Sequence, residues 1–189
     1  MGKGTSRPPG YSRKIRASSR SDQPADDEML SNSVDFDFRI AGDGAWYYKG
    51  SPIARKALVR LFSTVLRRED DGAFWLVTPV ERVRIEVEDA PFTAVEMSAA
   101  GAGRDQVLSF RTNVDAWIEA GPDHPIWVRH ASDSGEPRPY ILVRDRLEAL
   151  IVRSVYYDLV ELGVEHDQDG RTGIGVWSKG SFFPLGSLD

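Results

Sequence analysis

Carboxylates are the side chains whose spacing in this sequence comes closest to that of a catalytic pair. Glu81 and Asp89 flank a predicted strand and could supply the acid and the base of a hydrolytic reaction. Glu86 and Glu88, however, project from the same strand face as two arginines, because side chains at every second position share one face. The pattern favours a charge-balanced surface, and we assign no catalytic residue.

Motifs for nucleotide hydrolysis and metal chemistry are absent from the sequence. There is no G-x-x-x-x-G-K-[ST] loop, G-x-G-x-x-G turn, G-x-S-x-G elbow or H-E-x-x-H helix. The chain contains no cysteine and three histidines, of which His124 lies in a predicted turn. The segment Glu165-His166-Asp167 with Asp169-Gly170 offers hard oxygen ligands but lacks the spacing of a calcium loop. We expect neither a metal nor a cofactor, and a small hydrolase using Glu81, Asp89 or His166 stays open as an alternative.

A basic stripe runs along the first predicted helix. Gly50, Ser51 and Pro52 predict its start, because serine caps helices and proline suits their first position, and the helix runs to about Glu69. Its apolar arc contains Ile53, Ala57, Leu58, Leu61, Phe62, Val65 and Leu66. The stripe on the opposite edge consists of Lys56, Arg60, Ser63 and Arg67. Side chains at these spacings share one face, which could bind an anion or simply meet solvent.

The second predicted helix extends from Arg146 to Leu162. Asp145 and Glu148 have capping-box spacing, and Gly163 stands where a glycine commonly follows a helix. Its apolar arc contains Leu147, Ile151, Val152, Val155, Tyr156, Leu159, Val160 and Leu162. The remaining strip consists of Arg153, Ser154, Tyr157, Asp158 and Glu161. On a helix this apolar, such a strip favours either hydrogen bonds between two lobes or contacts with a ligand, and the pattern does not choose between them.

Alternating apolar and polar residues predict the strands. The first half reads as strands 34–40 and 45–49 around a glycine turn, followed after the first helix by one antiparallel meander of residues 73–78, 82–88, 92–97 and 106–111. The second half repeats this opening with strands 126–130 and 140–144, and it closes with a hairpin of residues 173–178 and 181–185. We therefore predict an α+β fold of two similar antiparallel β lobes, each with one helix.

Composition divides the chain into a tail and two lobes. Residues 1–33 are rich in Ser, Pro, Gly and charge, so we expect a disordered tail, followed by an N-terminal lobe over 34–120 and a C-terminal lobe over 121–189. The net charge is −5, although residues 1–20 contain six basic side chains and no acidic one. The lobes are therefore acidic, and we expect no nucleic acid to bind them. The sequence shows no signal peptide and no apolar run long enough to span a membrane, which favours a cytoplasmic protein without a membrane partner.

Several segments resemble one bacterial family, namely GAWYY at 44–48, GSPI at 50–53, LVRLFSTVLRRE at 58–69, WLVTPVE at 75–81, VEDAPF at 87–92, GPDHP at 121–125, YILVR at 140–144 and VWS at 176–178. Across residues 35–186 the sequence is similar to the family known as domain of unknown function 1285. The resemblance implies a duplicated two-lobe core whose second lobe is faintly similar to pleckstrin-homology folds. It also implies a pocket between the lobes for a nucleotide-like ligand in signalling.

We therefore interpret the chain as a small-ligand-binding module of bacterial signal transduction. An anionic, nucleotide-like molecule is predicted between the lobes, held by arginines and stacked on Trp177 or Tyr157. The residues assigned to ligand binding are Arg60, Arg67, Glu81, Asp89, Arg153, Tyr157 and Trp177. A protein–protein adaptor and the carboxylate hydrolase are the alternatives, and a protein partner stays open.

Overall fold

The computed structural model describes residues 37–168 and 171–187. The predicted disordered tail over residues 1–33 and the first residues of the first predicted strand lie outside the described residues. These described residues form one compact unit of mostly β structure with two helices.

Six strands and one helix make up the N-terminal lobe. The strands are β1 (Phe38–Ile40), β2 (Trp46–Tyr48), β3 (Ser51–Pro52), β4 (Leu66–Arg68), β5 (Phe74–Val77) and β6 (Arg82–Val87), with helix α1 (Lys56–Val65) between β3 and β4. Their order across this N-terminal sheet is β3-β2-β1-β6-β5-β4. All neighbours are antiparallel except β1 and β6, which are parallel. The sheet thus consists of two three-stranded meanders joined by its first and last strands.

The C-terminal sheet repeats this connectivity. Its strands are β7 (Phe92–Ala100), β8 (Val107–Thr112), β9 (Trp117–Glu119), β10 (Ile126–His130), β11 (Pro137–Arg144) and β12 (Leu147–Ile151), in the order β10-β11-β12-β7-β8-β9. Here β7 and β12 form the parallel pair and all other neighbours are antiparallel. The predicted α+β fold of two similar lobes with one helix each is therefore confirmed. The predicted lobe boundary between residues 120 and 121 stays a prediction, and it falls between β9 and β10.

Helix α2 (Arg153–Glu161) and a three-stranded antiparallel sheet complete the C-terminal lobe. The sheet consists of β13 (Val164–Gln168), β14 (Arg171–Ser178) and β15 (Ser181–Ser187). The predicted closing hairpin is β14 and β15, whereas β13 was not predicted. Buried Ser178 ties this sheet to the larger one, because its hydroxyl accepts from the Leu108 amide and donates to the Ala120 carbonyl.

The second helix was predicted to begin at Arg146, but in the structure it begins at Arg153. Residues 147–151 are strand β12, and Asp145 with Arg146 forms the turn between β11 and β12, with φ angles of 42° and 67°. These angles belong to a two-residue hairpin turn. Asp145 is therefore no helix cap, and Glu148 lies buried in the sheet. The helix itself begins after Val152, which makes no side-chain cap.

The first helix is also shorter than predicted. Ser51 and Pro52 belong to strand β3, and α1 ends at Val65, where the chain turns into β4. Leu61, predicted to be buried, is 60% exposed, whereas Ser63 of the predicted polar stripe is buried. The predicted stripe is therefore wrong as a single helical face, because Arg67 lies on β4.

The single predicted meander is divided between two sheets. Strands β5 and β6 pair in the N-terminal sheet, and β7 and β8 pair in the C-terminal sheet. The segment from Glu88 to Pro91 leads from one sheet to the other, and Ala90 within it is buried.

A close contact joins the turn after β1 to the C-terminal sheet. The Asn113 amide nitrogen donates to the Gly44 carbonyl at 3.0 Å, and its oxygen accepts from the Thr93 amide at 3.2 Å. Gly44 has a φ of 85°, and an added Cβ would lie 2.8 Å from the Asn113 side-chain nitrogen. Glycine is required here by both conformation and space. This contact fixes the lobes against one another beside the groove described next.

Candidate functional site

An open groove of about 690 Å³ separates helix α1 from the C-terminal sheet. We call it the interlobe groove. The N-terminal lobe contributes Arg60, Ser63, Thr64 and Arg67, and the C-terminal lobe contributes Phe92, Val114, Asp115, Ala116, Val143, Arg144 and Asp145. Two of the predicted site residues, Arg60 and Arg67, thus lie in one groove between the lobes.

Arg60 reaches across the groove from α1 to Asp115. The two side chains form an ion pair, and Asp115 also accepts from Arg111 at 2.8 Å. Asp115 lies in the β8–β9 turn with a φ of 60°, a conformation that Asp tolerates better than most residues. Because Arg111 holds the carboxylate as well, Arg60 can turn to another anion without leaving Asp115 unpaired.

Arg67 and Arg144 bring two positive charges together from opposite lobes. Arg67 donates to the carbonyls of Thr64 and Leu66 at 3.2 and 2.8 Å, and Arg144 donates to the Ser63 carbonyl at 2.5 Å. Burial lowers the pKa of Arg144, the charge of Arg67 lowers it further, and Asp145 raises it. Two guanidinium groups in this position repel one another, and an anion between them would relieve the repulsion.

A second open cavity continues along the C-terminal sheet. It measures about 690 Å³ and shares Ala116, Val143 and Arg144 with the interlobe groove. Its other lining residues include Ser98, Ser109, Trp117, Glu119, His124 and Lys179. Trp117 is 53% exposed, so an exposed aromatic side chain is part of this lining. We call it the Trp117 extension.

Arg153 and Tyr157 lie elsewhere, in a smaller pocket of about 240 Å³ beside α2. Arg153 is ion-paired with Glu136, and Tyr157 is 57% exposed. This pocket shares no residue with the interlobe groove.

Asp89 lies in the segment that joins the two sheets, and its carboxylate binds the hydroxyl of buried Tyr140 on β11. The Tyr140 hydroxyl donates to Asp89 at 2.7 Å, and Arg138 donates to both the Asp89 carboxylate and, at 3.2 Å, the Tyr140 oxygen. Burial raises the pKa of Tyr140, Arg138 opposes this, and Asp89 adds to it. Both carboxylate oxygens of Asp89 are thus engaged in a structural cluster.

Removing the Tyr140 hydroxyl is expected to change how stability depends on pH. The folded state raises the pKa of Tyr140 above its ordinary value of 10.0. Its neutral form therefore stabilises the fold fully below about pH 10, and this contribution falls as the pH rises through the higher folded-state pKa. At pH 8 we expect Tyr140→Phe to cost about 1 kcal/mol, because Asp89 loses a donor.

Urea unfolding of both proteins between about pH 8 and 11.5 tests this expectation. The gap in unfolding free energy should narrow at the alkaline end, because only the parent protein has to ionise Tyr140. A gap that stays constant to the highest pH would contradict it.

The remaining predicted residues, Glu81 and Trp177, occupy two further places. Glu81 is exposed and borders an apolar cavity of about 570 Å³ with Phe38 and Tyr48. Trp177 lies on β14, where it packs against a phenylalanine and a histidine, and the Arg104 guanidinium lies 4.6 Å from its ring centre. The structure thus does not bring Glu81, Asp89, Arg153, Tyr157 and Trp177 together with the groove arginines.

Sequence reasoning missed Arg144 and Trp117. Arg144 ends the apolar run Tyr140–Val143, and a cation at the end of such a strand was the available signal. Trp117 offered none, because an aromatic residue in a short strand is normally part of the core.

Within residues 37–168 and 171–187, no three His, Cys, Asp or Glu side chains lie close enough together to hold a metal ion. None of the helices in this part of the chain has the length and apolar composition needed to cross a membrane.

Comparisons with known proteins agree on one family. Residues 26–90 match the model of the N-terminal domain of DUF1285, described as a domain of unknown function, and residues 91–185 match the model of the C-terminal domain of DUF1285, described as a protein of unknown function. No curated protein matches the chain.

Two crystal structures show the same similarity. A DUF1285 family protein from Silicibacter pomeroyi DSS-3 is 52% identical over 82% of this chain and 81% of that chain, with a TM-score of 0.75. A DUF1285 family protein from Shewanella baltica OS155 is 27% identical over 68% of this chain and 94% of that chain, with a TM-score of 0.54. The likeness of the second lobe to pleckstrin-homology folds stays a prediction.

Proposed function

Since this chain belongs to the DUF1285 family, whose description names no activity, we propose a function from the chemistry of its own residues: it binds a small anionic, nucleotide-like ligand in the interlobe groove. The observation that supports this most strongly is the convergence of Arg60, Arg67 and Arg144 from two lobes on one groove. Arginine suits this role because its planar donors engage phosphate oxygens in pairs.

Charge balance favours an anion in this groove. Its two carboxylates are Asp115, which is already held by two arginines, and Asp145, which is largely exposed. Among residues 37–168 and 171–187, Arg67 has no carboxylate in ion-pair contact, and the carboxylate that Arg144 meets is exposed Asp145, at 3.8 Å. A phosphate group has enough oxygen atoms to accept hydrogen bonds from both guanidinium groups at once.

The nucleotide-like part of the proposal depends on the Trp117 extension. A ligand that places its phosphates at Arg67 and Arg144 can extend along the sheet towards the exposed ring of Trp117. Stacking of a base on an aromatic ring contributes about 1 to 3 kcal/mol. Trp117 therefore replaces Trp177 and Tyr157 as the stacking residue in this proposal.

Binding without turnover suits a sensor in signal transduction, which is the role we propose. The hydrolase alternative would need an available carboxylate, but Asp89 is held by Arg138 and Tyr140, and Glu81 lies at a different cavity. Neither carboxylate lines the groove. Ligand that is recovered unchanged after long incubation would agree with the sensor role, and multiple turnover would favour the hydrolase.

Thermal-shift measurements and calorimetry with pyrophosphate, ADP, GDP, cyclic AMP and NAD test the proposal. We expect at least one nucleotide to raise the melting temperature of the full chain, because a ligand that binds the folded state stabilises it. Arg67→Gln and Arg144→Gln should each weaken binding by roughly tenfold or more, since each removes a charge-assisted hydrogen bond. Trp117→Ala should weaken nucleotide binding and leave pyrophosphate binding unchanged.

Arg82→Gln is the matched control, because Arg82 is an exposed arginine that pairs with Glu69 outside the groove. It should bind as the parent protein does, and circular dichroism should show all four variants folded. If no nucleotide or pyrophosphate stabilises the chain, or if binding survives both Arg67→Gln and Arg144→Gln, the proposal is wrong.

A further inference from the structure

The pocket beside α2 has a composition unlike that of the interlobe groove. We call it the tyrosine pocket. It is about 240 Å³ in volume and is lined by the start of β11, the end of β12 and the first turns of α2. Most of its lining is apolar or aromatic, namely Pro137, Pro139, Leu150, Ile151, Val152, Tyr156 and Tyr157. Drug-sized ligands typically occupy sites of about 300 to 1,000 Å³, so this pocket fits a smaller molecule.

Two tyrosines, Tyr156 and Tyr157, line this pocket. Burial raises the pKa of Tyr156, so its hydroxyl stays neutral and can donate a hydrogen bond at physiological pH. Within the part of the chain that the structure describes, neither Tyr156 nor Tyr157 has a hydrogen-bond partner for its hydroxyl. Both groups are free to bind an oxygen atom of a ligand.

The charged residues of the pocket differ in how firmly they are held. Arg138 donates to the Asp89 carboxylate, whose negative charge balances it, and to the Tyr140 hydroxyl. Arg153 and Glu136 form an ion pair between two exposed side chains. Exposed ion pairs contribute little to stability, so a competing carboxylate can displace Glu136 from Arg153 at small cost.

We propose that the tyrosine pocket binds a small monocarboxylate with an apolar body, such as an aromatic or short-chain acid. The apolar part lies against the proline and leucine surface, and the carboxylate takes the place of Glu136 on Arg153. The tyrosine hydroxyls donate to its second oxygen or to a polar substituent. This site is independent of the interlobe groove, with which it shares no residue.

The residues of the pocket favour a monoanion over a phosphate. Arg153 is the one arginine in the lining that is not bound to a buried cluster, and Glu136 remains nearby as a negative charge. A doubly charged phosphate would be repelled by Glu136 and would leave the apolar surface uncovered. A benzoate-sized acid satisfies one arginine and covers that surface.

Heteronuclear NMR titration of the full chain with benzoate and with hexanoate, each to about 10 mM, tests the proposal, since small ligands bind with millimolar affinity or better. We expect amide shifts confined to Glu136, Arg138 and residues 150–157, because Pro137 and Pro139 have no amide proton. Benzyl alcohol, which keeps the ring and lacks the charge, should bind at least several-fold more weakly. Inorganic phosphate should leave these amides unchanged.

The proposal predicts that substitutions of the two ion-pair residues change the affinity for benzoate in opposite directions. Arg153→Gln should weaken benzoate binding by about tenfold, because it removes the charged donor. Glu136→Gln should strengthen binding by about threefold or more, because it removes the competing carboxylate. A gain of this size lies within the energy range of an exposed ion pair. Arg146→Gln is the matched control, since Arg146 is an exposed arginine paired with Asp70 outside the pocket, and it should bind as the parent does.

The proposal is overturned by any of three results: neither acid shifts these amides, the shifts occur elsewhere, or Arg153→Gln binds benzoate as tightly as the parent protein. Both variants change exposed side chains, so we expect them to fold, and their spectra report folding in the same experiment. Because the interlobe groove has its own ligands and variants, failure here leaves the nucleotide proposal untouched.

Discussion

Arg129→Ala is expected to lower the free energy of unfolding by about 3 kcal/mol, because it leaves a buried carboxylate without its main partner. Glu148 is 5% exposed on β12, and Arg129 on β10 donates to both of its oxygens at 2.9 and 2.8 Å. Arg68 lies 3.9 Å from the same carboxylate and can compensate only in part. Since Arg129 itself is half-exposed, we place the loss at the lower end of the range for buried pairs.

Urea unfolding at neutral pH measures this loss. Arg82→Ala removes an arginine whose ion pair with Glu69 is exposed on both sides, so it should cost no more than about 1 kcal/mol. The double variant Arg129→Met with Glu148→Met should recover much of the stability, because it removes the buried charge together with its partner. Equal losses for Arg129→Ala and Arg82→Ala would contradict this account of Glu148.

Gly175→Ala is expected to cost about 3 kcal/mol, at the upper end of the usual cost of overpacking. Gly175 is buried on β14, and an added Cβ would overlap the ring of Phe182 and the backbone carbonyl oxygen of Phe183 on the neighbouring strand. The ring could shift, but the carbonyl belongs to the β14–β15 pairing and cannot move without disrupting it. The hairpin would have to open locally.

Gly186→Ala is the control, because its Cβ would meet no atom within 4 Å. Both glycines lie in the same hairpin, so any effect of glycine on chain entropy is shared by the two variants. Differential scanning calorimetry should show Gly175→Ala melting roughly 6 to 12 °C lower, and Gly186→Ala melting within a few degrees of the parent protein. A similar melting temperature for the two variants would show that the space around Gly175 is not limiting.

Local patterns predicted most strands and the existence of both helices, but not where the helices begin. Leu147 and Ile151 are four residues apart, which suits a helix, and they also flank Ala149 at the two-residue spacing of a strand. Asp145 before this run looked like a helix cap, although it occupies a left-handed turn position without glycine. Both interpretations satisfy local chemistry, and the pairing with β7 and β11 decides between them.

Only part of the candidate groove could be predicted, because local patterns do not show which elements pack together. Arg60 and Arg67 carried a visible charge pattern, and the structure places both at the interlobe groove. Arg153 also belonged to a polar strip on a helix, but it lies at a different pocket. Whether two strips face each other depends on how the sheets pack, which the spacing along one helix does not encode. Arg144 joins the groove only because β11 ends opposite α1.

The parallel pairing of first and last strands has a consequence for how the chain folds during synthesis. Phe38 cannot pair with Ile85 until strand β6 has left the ribosome, and Phe92 likewise cannot pair with Ala149 until β12 has been made. Each closure brings together residues far apart in sequence, which makes such folding slow compared with that of a chain rich in local contacts. The order of emergence lets the N-terminal sheet close first, so it can serve as a finished surface on which the second sheet is completed.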